Sequence, residues 1–412
     1  MQFNVLVREC GSVIVKLENY KFTFSDFPYL QIFIELDAMN FFRAVYGGIR
    51  SVSKYLFTRP VNYIASRFTS YPKQDRVDSS LTELYNSIIT GKEKKGKLIE
   101  FTPANFPVII FSDQHKGARD GSDDFTLSEN NFIAALEYYN QHNFYYVNLG
   151  DSEELWENNI LSVINHNAAV FEREKLFADR NAFYKIYGNH DLFWDNDPFS
   201  SLYLKKMYGQ KISIYAGIVL RIKLPERNID IFCTHGHQGD AQSDGNAFSK
   251  WFVSYIWGPL QAFLQINTNT PATNDNRKSV HNEFMYEWSA KQKNIILITG
   301  HTHQPVFNSL THLERLYLKR EEAEIKGDQD AIEKIESEIP RRKREYDRIN
   351  TEFRKMKPAY FNSGCCCFGD GTITGIEISD GSIKLIKWSQ VNGKSQRVIA
   401  EQEKLDDLSR LI

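Results

Sequence analysis

The chain has 412 residues, enough for two to four structural units at roughly 100 to 200 residues each. With 42% hydrophobic and 25% charged residues, 23 Gly and 12 Pro, it reads as globular, which excludes disorder, collagen-like repeats and low complexity as overall descriptions. Its 50 basic against 52 acidic residues leave a formal net charge of −2, so no bulk electrostatic attraction favours a nucleic-acid partner.

In chain order, Met1 to Cys10 carries Arg8 and Glu9 where a signal peptide would be apolar, and no later stretch has about 18 uncharged apolar residues. Neither export nor membrane spanning is expected. Cys10, Cys233 and the run Cys365, Cys366 and Cys367 are odd in number and too few to staple a chain of this size, so they read as reduced thiols of a cytoplasmic protein. Residues 1–104 read as an N-terminal extension, with the charged Lys92 to Lys97 as a linker. Within the extension, Phe41 to Phe68 mixes aromatic residues with Arg43, Arg50, Lys54, Arg59 and Arg67. It reads as a helix packed on the core with its basic side in water, or as a helix in peripheral contact with an anionic membrane.

From Phe106 onward short β-rich runs alternate with helical stretches, the pattern of an α/β core spanning 105–390. The expected strands are Val108 to Phe111, Phe144 to Asn148, Tyr184 to Tyr187, Ile212 to Ile222, Ile229 to Cys233, Ile295 to Ile298, Tyr360 with Phe361, and a hairpin about Ser379, Asp380 and Gly381. Two insertions interrupt this core. The first, 241–290, holds the dense apolar run Ser249 to Ile266, with Trp251, Trp257 and Phe263, and is expected to form a helical lid. The second, 310–357, alternates acids and bases with apolar residues spaced by three and four, as in a charged helical hairpin. Gly327 and Asp328 offer its turn, and Pro340 is expected to kink or split the second arm. The hairpin is a solvated pair or a docking arm for a protein partner. Residues 391–412 read as a C-terminal tail.

The strand ends carry Asp113-Gln114-His115, Gly150-Asp151-Ser152-Glu153-Glu154, Gly188-Asn189-His190-Asp191, His235-Gly236-His237 and Gly300-His301-Thr302-His303. Sites in α/β sheets form beyond the carboxyl ends of strands, so these clusters are expected to converge on one cleft. Carboxylate, imidazole and amide oxygen together suit Mn, Fe or Zn, whereas an all-oxygen set would indicate Mg or Ca. In an Asp-x-His pair on an extended chain, residues i and i+2 face the same side. Asp151, with two carboxylate oxygens and a flexible Gly150 before it, is the most central candidate to bridge two ions. Asp191 reads as a residue that fixes its loop, and His237 as a ligand or an outer contact. The three consecutive cysteines read as buried small hydrophobes, because neighbours on a strand point to opposite faces and cannot share one ion.

In this order, Asp-x-His, Gly-Asp-x-x-Glu, Gly-Asn-His-Asp, His-Gly-His and Gly-His-x-His resemble the motifs of the calcineurin-like metallophosphoesterases. The resemblance covers about Phe106 to Leu310 and the closing strands to Trp388. It implies a four-layer αββα sandwich of two mixed β-sheets flanked by helices. It also implies a dinuclear centre in which Asp113, His115, Asp151 and His303 hold one ion and Asp151, Asn189, His235 and His301 the other, most simply two Mn with Fe or Zn as alternatives. Such a centre lowers the pKa of a bound water and delivers hydroxide in line to phosphorus. His190 would then donate to the leaving oxygen or a phosphate oxygen, and Glu154 would orient the bridging carboxylate.

Within the family, Gly150-Asp151-Ser152-Glu153-Glu154-Leu155-Trp156 lacks the arginine that Ser/Thr protein phosphatases place here. Gly-Asp-x-x-Glu-x-Trp and Gly300-His301-Thr302-His303-Gln304-Pro305 are closer to the UDP-2,3-diacylglucosamine pyrophosphatase branch. That branch usually has Arg where His190 stands and Asp where His237 stands, and it lacks a long charged insertion. The expected function is hydrolysis of a phosphoester or pyrophosphate in a phosphorylated small-molecule or lipid-linked substrate. The alternatives are a protein phosphatase or nuclease of the same fold, or a non-catalytic scaffold that uses the charged hairpin.

Overall fold

A computed structural model describes residues 5–8, 12–17, 20–22, 73–91, 95–101, 107–119, 123–155, 158–223, 227–239, 275–343 and 355–412. The aromatic and basic stretch Phe41 to Phe68 and the apolar run Ser249 to Ile266 lie outside these residues. Near the N-terminus, β1 (Val5–Arg8), β2 (Ser12–Leu17) and β3 (Tyr20–Phe22) pair antiparallel as a small sheet of their own.

The core is built from two mixed seven-stranded sheets. The first contains β4 (Gly96–Phe101), β9 (Gly217–Lys223), β10 (Asn228–Thr234), β11 (Ile295–Thr299), β12 (Val306–Phe307), β13 (Leu310–Thr311) and β14 (Tyr360–Asn362), in the order β13-β12-β14-β11-β10-β9-β4. The second contains β5 (Val108–Phe111), β6 (Tyr145–Leu149), β7 (Phe183–Ile186), β8 (Ile214–Tyr215), β15 (Ile373–Ser379), β16 (Ser382–Val391) and β17 (Lys394–Lys404), in the order β17-β16-β15-β5-β6-β7-β8. Strands β5 to β8 run parallel, as do β10, β11 and β14.

Strand alternation explains the layers. Val108 and Ile110 of β5, with Ile218, Leu220 and Ile222 of β9 and Ile229, Ile231 and Cys233 of β10, share one buried cluster between the sheets. Their neighbours Ile109 and Phe111 face outward and are covered by Phe132, Leu136 and Tyr139 of α2 (Glu129–Gln141), the helix that follows α1 (Gln74–Thr90). On the opposite face Val219 and Phe232 meet Val77 and Leu81 of α1 and, further along the chain, Met285 and Trp288 of Asp275–Lys291. The result is helix, sheet, sheet, helix, as expected.

Several boundaries differ from the sequence reading. Ile212 to Ile222 is not one strand: β8 belongs to one sheet and β9 to the other, and the apolar pattern runs unbroken through the crossing at Ala216. The stretch read as extension and linker contributes α1 and β4. Lys95 and Lys97 conceal the start of that strand, since an edge strand tolerates charge; of Gly96 to Glu100, Ile99 is the buried residue. Residues 391–412 form β17 and a terminal helix, Leu405–Leu411, that buries Leu405 and Leu408. Of 241–290, the described part is the helix Asp275–Lys291, which packs into the core by Met285 and Trp288.

The charged hairpin is helical. Its first arm, His312–Lys326, begins with a capping box between Thr311 and Glu314 and ends at Gly327 in the left-handed region. Asp328 caps the second arm, Gln329–Arg342, which ends two residues after Pro340. No helix among the described residues is long and apolar enough to cross a membrane.

Candidate metal centre

The ends of β5, β6, β7, β10 and β11 bring the five sequence clusters to one place. Sheet pairing continues past the strands: the Asp113 N–H donates to the Gly150 carbonyl at 3.0 Å, His115 N–H to Asp151 at 3.0 Å, and Gly300 N–H to His235 at 2.9 Å. Gly150 has φ of +95°, and a Cβ there would come within 2.7 Å of His235 Nδ1. A Cβ on Gly188 would lie 2.2 Å from Asp151 Oδ1.

The Asp-x-His and His-x-His pairs are not extended, contrary to the expectation from strand geometry. Asp113, His115, Asp151, His301 and His303 all have positive φ, between 49° and 70°. Each such residue costs on the order of 1 kcal/mol or more and persists only where its surroundings over-determine it. The left-handed turns swing the side chains of both pairs toward a common point after the strands have ended.

All seven expected ligands are gathered there. His303 Nε2 lies 3.3 Å from Asp113 Oδ1 and 3.2 Å from His115 Nε2. His115 Nε2 is 3.9 Å from Asp151 Oδ2, and His235 Nε2 is 3.1 Å from that same oxygen. Asn189 Oδ1 is 3.2 Å from His235 Nε2. Donor atoms of Asp151, His235 and His301 lie within 4.8 Å of one another, as do those of His115, Asp151 and His190. Asp151 thus faces both halves through one oxygen, while its Oδ1 accepts the His190 N–H at 2.7 Å.

The residues fit a metal on three counts. Bonds of about 2.0–2.2 Å at tetrahedral or octahedral angles separate ligand atoms by about 2.8–3.6 Å, and the closest donor pairs fall in that interval. His301 Nε2 is buried without a hydrogen-bond partner, which an ion would satisfy. The carboxylates of the site also favour positive charge on their neighbours. Burial by itself would lower His190 and His235, yet Glu154 and Asp151 raise the former to about 9, and Asp151 and Asp113 raise the latter to about 9. Burial conversely opposes ionisation of Asp113 and Asp151, but His235 and, respectively, His303 and His190 hold both below the usual carboxylate range.

The sequence reading has Glu154 orienting the bridging carboxylate; the structure places it on two imidazoles. Its Oε2 accepts from Nδ1 of both His115, at 2.9 Å, and His190, at 2.7 Å. Burial disfavours its charge, but His190 and His115 bring it down to about 2. A carboxylate on Nδ1 turns the Nε2 lone pair of His115 toward an ion. Asp191 ties two loops together by accepting from Ser152 N–H at 2.9 Å and Gly188 N–H at 2.5 Å. His237 is buried with its ring beside Tyr187 and His235.

Two features carried no signal in the sequence. His281, on a helix rather than at a strand end, donates from Nε2 to the Gly236 carbonyl at 2.5 Å and packs its ring 5.0 Å from that of His301. Beneath the centre lies a fully buried set of charges. Lys185 Nζ is 2.9 Å from Glu153 Oε2, and Lys116 Nζ is 3.4 Å from Glu153 Oε1 and 3.0 Å from Glu174 Oε1. Trp194 Nε1 donates to Glu153 and Tyr208 OH to Glu174, both at 2.7 Å.

Residues 106–305 match a family model described as calcineurin-like phosphoesterase. Among solved structures, Vacuolar Protein Sorting 29 from Cryptosporidium parvum is similar at 11% identity over 73% of this chain and 98% of that chain, with a TM-score of 0.28. A single mutant of Vps29 from Entamoeba histolytica is similar at 14% identity over 72% and 100%, with a TM-score of 0.27. No curated protein matches the chain.

Proposed function

We propose that the calcineurin-like phosphoesterase domain of this chain hydrolyses a phosphoester or phosphoanhydride at a dinuclear centre bridged by Asp151. The observation that carries this reading is the gathering of Asp113, His115, His303, Asn189, His235 and His301 around Asp151, with Asp113, His115, Asp151, His301 and His303 in backbone turns that cost energy. Two divalent ions, Mn first with Fe or Zn as alternatives, would supply an activated water and neutralise charge on the phosphoryl oxygens.

The chain's own groups do the rest. Asp113, His115 and His303 would hold one position, and Asn189, His235 and His301 the other. Glu154 fixes His115 and His190 at once. His190 then holds its Nδ1 proton against Glu154 and presents Nε2 to the leaving oxygen. A lipid-linked pyrophosphate is the substrate favoured by the resemblance of Gly150 to Trp156 and Gly300 to Pro305, and by the apolar run Ser249 to Ile266.

The test is metal analysis after Mn reconstitution, with hydrolysis of an aryl phosphomonoester and an aryl phosphodiester. Wild type should bind two ions and turn over at least one ester, and chelation should abolish turnover. Asp151→Asn should lose both properties. Equal metal content and rate in wild type and Asp151→Asn would refute the bridge.

A further inference from the structure

A histidine offers Nε2 to an ion only when its Nδ1 carries the proton, and a buried Nδ1–H needs an acceptor. His115 meets this with Glu154 Oε2, and His235 with the Leu149 carbonyl, 2.9 Å from its Nδ1. Among the described residues, no carboxylate or carbonyl is hydrogen-bonded to His303 there. Its Nδ1 faces the sulfur of Cys367 at 3.9 Å, while its Nε2 points to Asp113 and His115. Cys365 also interacts with His303 and with Cys367.

The loop that carries these cysteines is held against the centre from several sides. Cys366 N–H donates to the Asp113 carbonyl at 3.1 Å, and Thr374 N–H donates to the Cys365 carbonyl at 3.0 Å. Gly364, in the left-handed region with φ of +74°, turns the chain just before it. Alternation then separates the three side chains. Cys366 enters the apolar cluster with Phe111, Tyr139 and Trp388, while Cys367 turns to His303. All three are buried, as expected, but the Cys367 donor atom also lies within 4.8 Å of those of His115 and His303.

We propose that Cys367 is a positioning residue for the metal centre, its sulfur accepting the Nδ1–H of His303 and so turning Nε2 toward the ion shared with Asp113 and His115. Sulfur here takes the place that a carboxylate occupies for His115. It is a softer and weaker acceptor, which makes this half of the centre the easier one to empty. The proposal rests on the dinuclear reading above.

Metal affinity tests it directly, by titrating the metal-free protein with Co(II) against a competing chelator while following ligand-field absorption. Cys367→Ala should weaken one of two binding events by 10- to 100-fold, the usual effect of losing an outer partner of a ligand. Cys367→Ser, which restores an acceptor, should recover most of that loss. Cys366→Ala should lower the melting temperature of the metal-free protein without moving either affinity, whereas Cys367→Ala should do the reverse. Wild-type affinity in Cys367→Ala would overturn the proposal. So would a thiolate-to-cobalt charge-transfer band present in wild type and absent in Cys367→Ala, since sulfur would then be a direct ligand. If Asp151→Asn loses both ions while Cys367→Ala keeps them, the centre stands and only the role of Cys367 falls; if wild type takes up no ion, both fall.

Discussion

Replacing Lys185 by Met should destabilise the metal-free protein by about 3 kcal/mol. The side chains of Lys185 and Glu153 are both 0% exposed, and Lys185 Nζ reaches the two carboxylate oxygens of Glu153 at 3.0 and 2.9 Å. Removing one partner of such a pair costs about 3–5 kcal/mol, because the other charge is left buried and uncompensated. The low end applies here, since Glu153 would keep Lys116 at 3.4 Å, the Ser152 hydroxyl at 2.8 Å and the Trp194 N–H at 2.7 Å. The same environment fixes a pH dependence. Burial opposes the charge of Glu153, but Lys185 and Lys116 hold its pKa down to about 2 from an ordinary 4.5. A depressed folded-state pKa means stability that is present above about 4.5 and is lost as pH falls toward 2. Urea unfolding followed by tryptophan fluorescence, with chelator present, measures both effects. The double variant Lys185→Met with Glu153→Gln leaves Lys116 paired to Glu174, so it should cost less than half of what Lys185→Met costs alone. A loss below about 1 kcal/mol for Lys185→Met, or a double variant as damaging as the two single variants combined, would refute the account of this network.

His190→Ala should retain both ions by metal analysis and lose turnover by about 10²- to 10⁴-fold, the range for removal of a general acid; equal loss of metal and rate would make it a ligand instead. Glu154→Gln should act on both functions, because one oxygen now serves two imidazoles. Metal affinity at the His115 position should drop by roughly 10- to 100-fold, with a further fall in turnover at saturating metal, and unchanged affinity would remove Glu154 from the orientation of His115.

The candidate ligand set was legible because its chemistry is local: Asp113, Asp151, Asn189, His235 and His301 each follow a β-branched or apolar run within a few residues. What escaped was decided by distant parts of the chain. Periodicity cannot report that the turns at His115 and His303 enter the left-handed region, since that conformation is enforced by pairing between loops. Over Gly96 to Glu100, strand β4 buries Ile99 alone and so leaves almost no alternating pattern to read. Glu153 and Lys116 look like surface charges until Glu174, Lys185, Trp194 and Tyr208 close around them. His281 shares a helix face with Met285 and Trp288, where spacing speaks of core packing rather than of a neighbour to His301.

Strand β5 lies between β6 and β15, whose pairing joins Ile110 to Ile376 and Val108 to Ile378. On the ribosome these partners arrive very unequally, β6 soon after β5 and β15 only after the strands of both sheets from β7 to β14. Until then the uniformly apolar run Val108–Phe111 presents an open edge, the kind of surface that recruits other chains. The Asp113 end of the cleft also waits for that late strand, because Cys366, which ties down Asp113, precedes β15 by only a few residues. A chain truncated before Ile373 would therefore leave one edge of β5 without its partner strand beside the candidate centre.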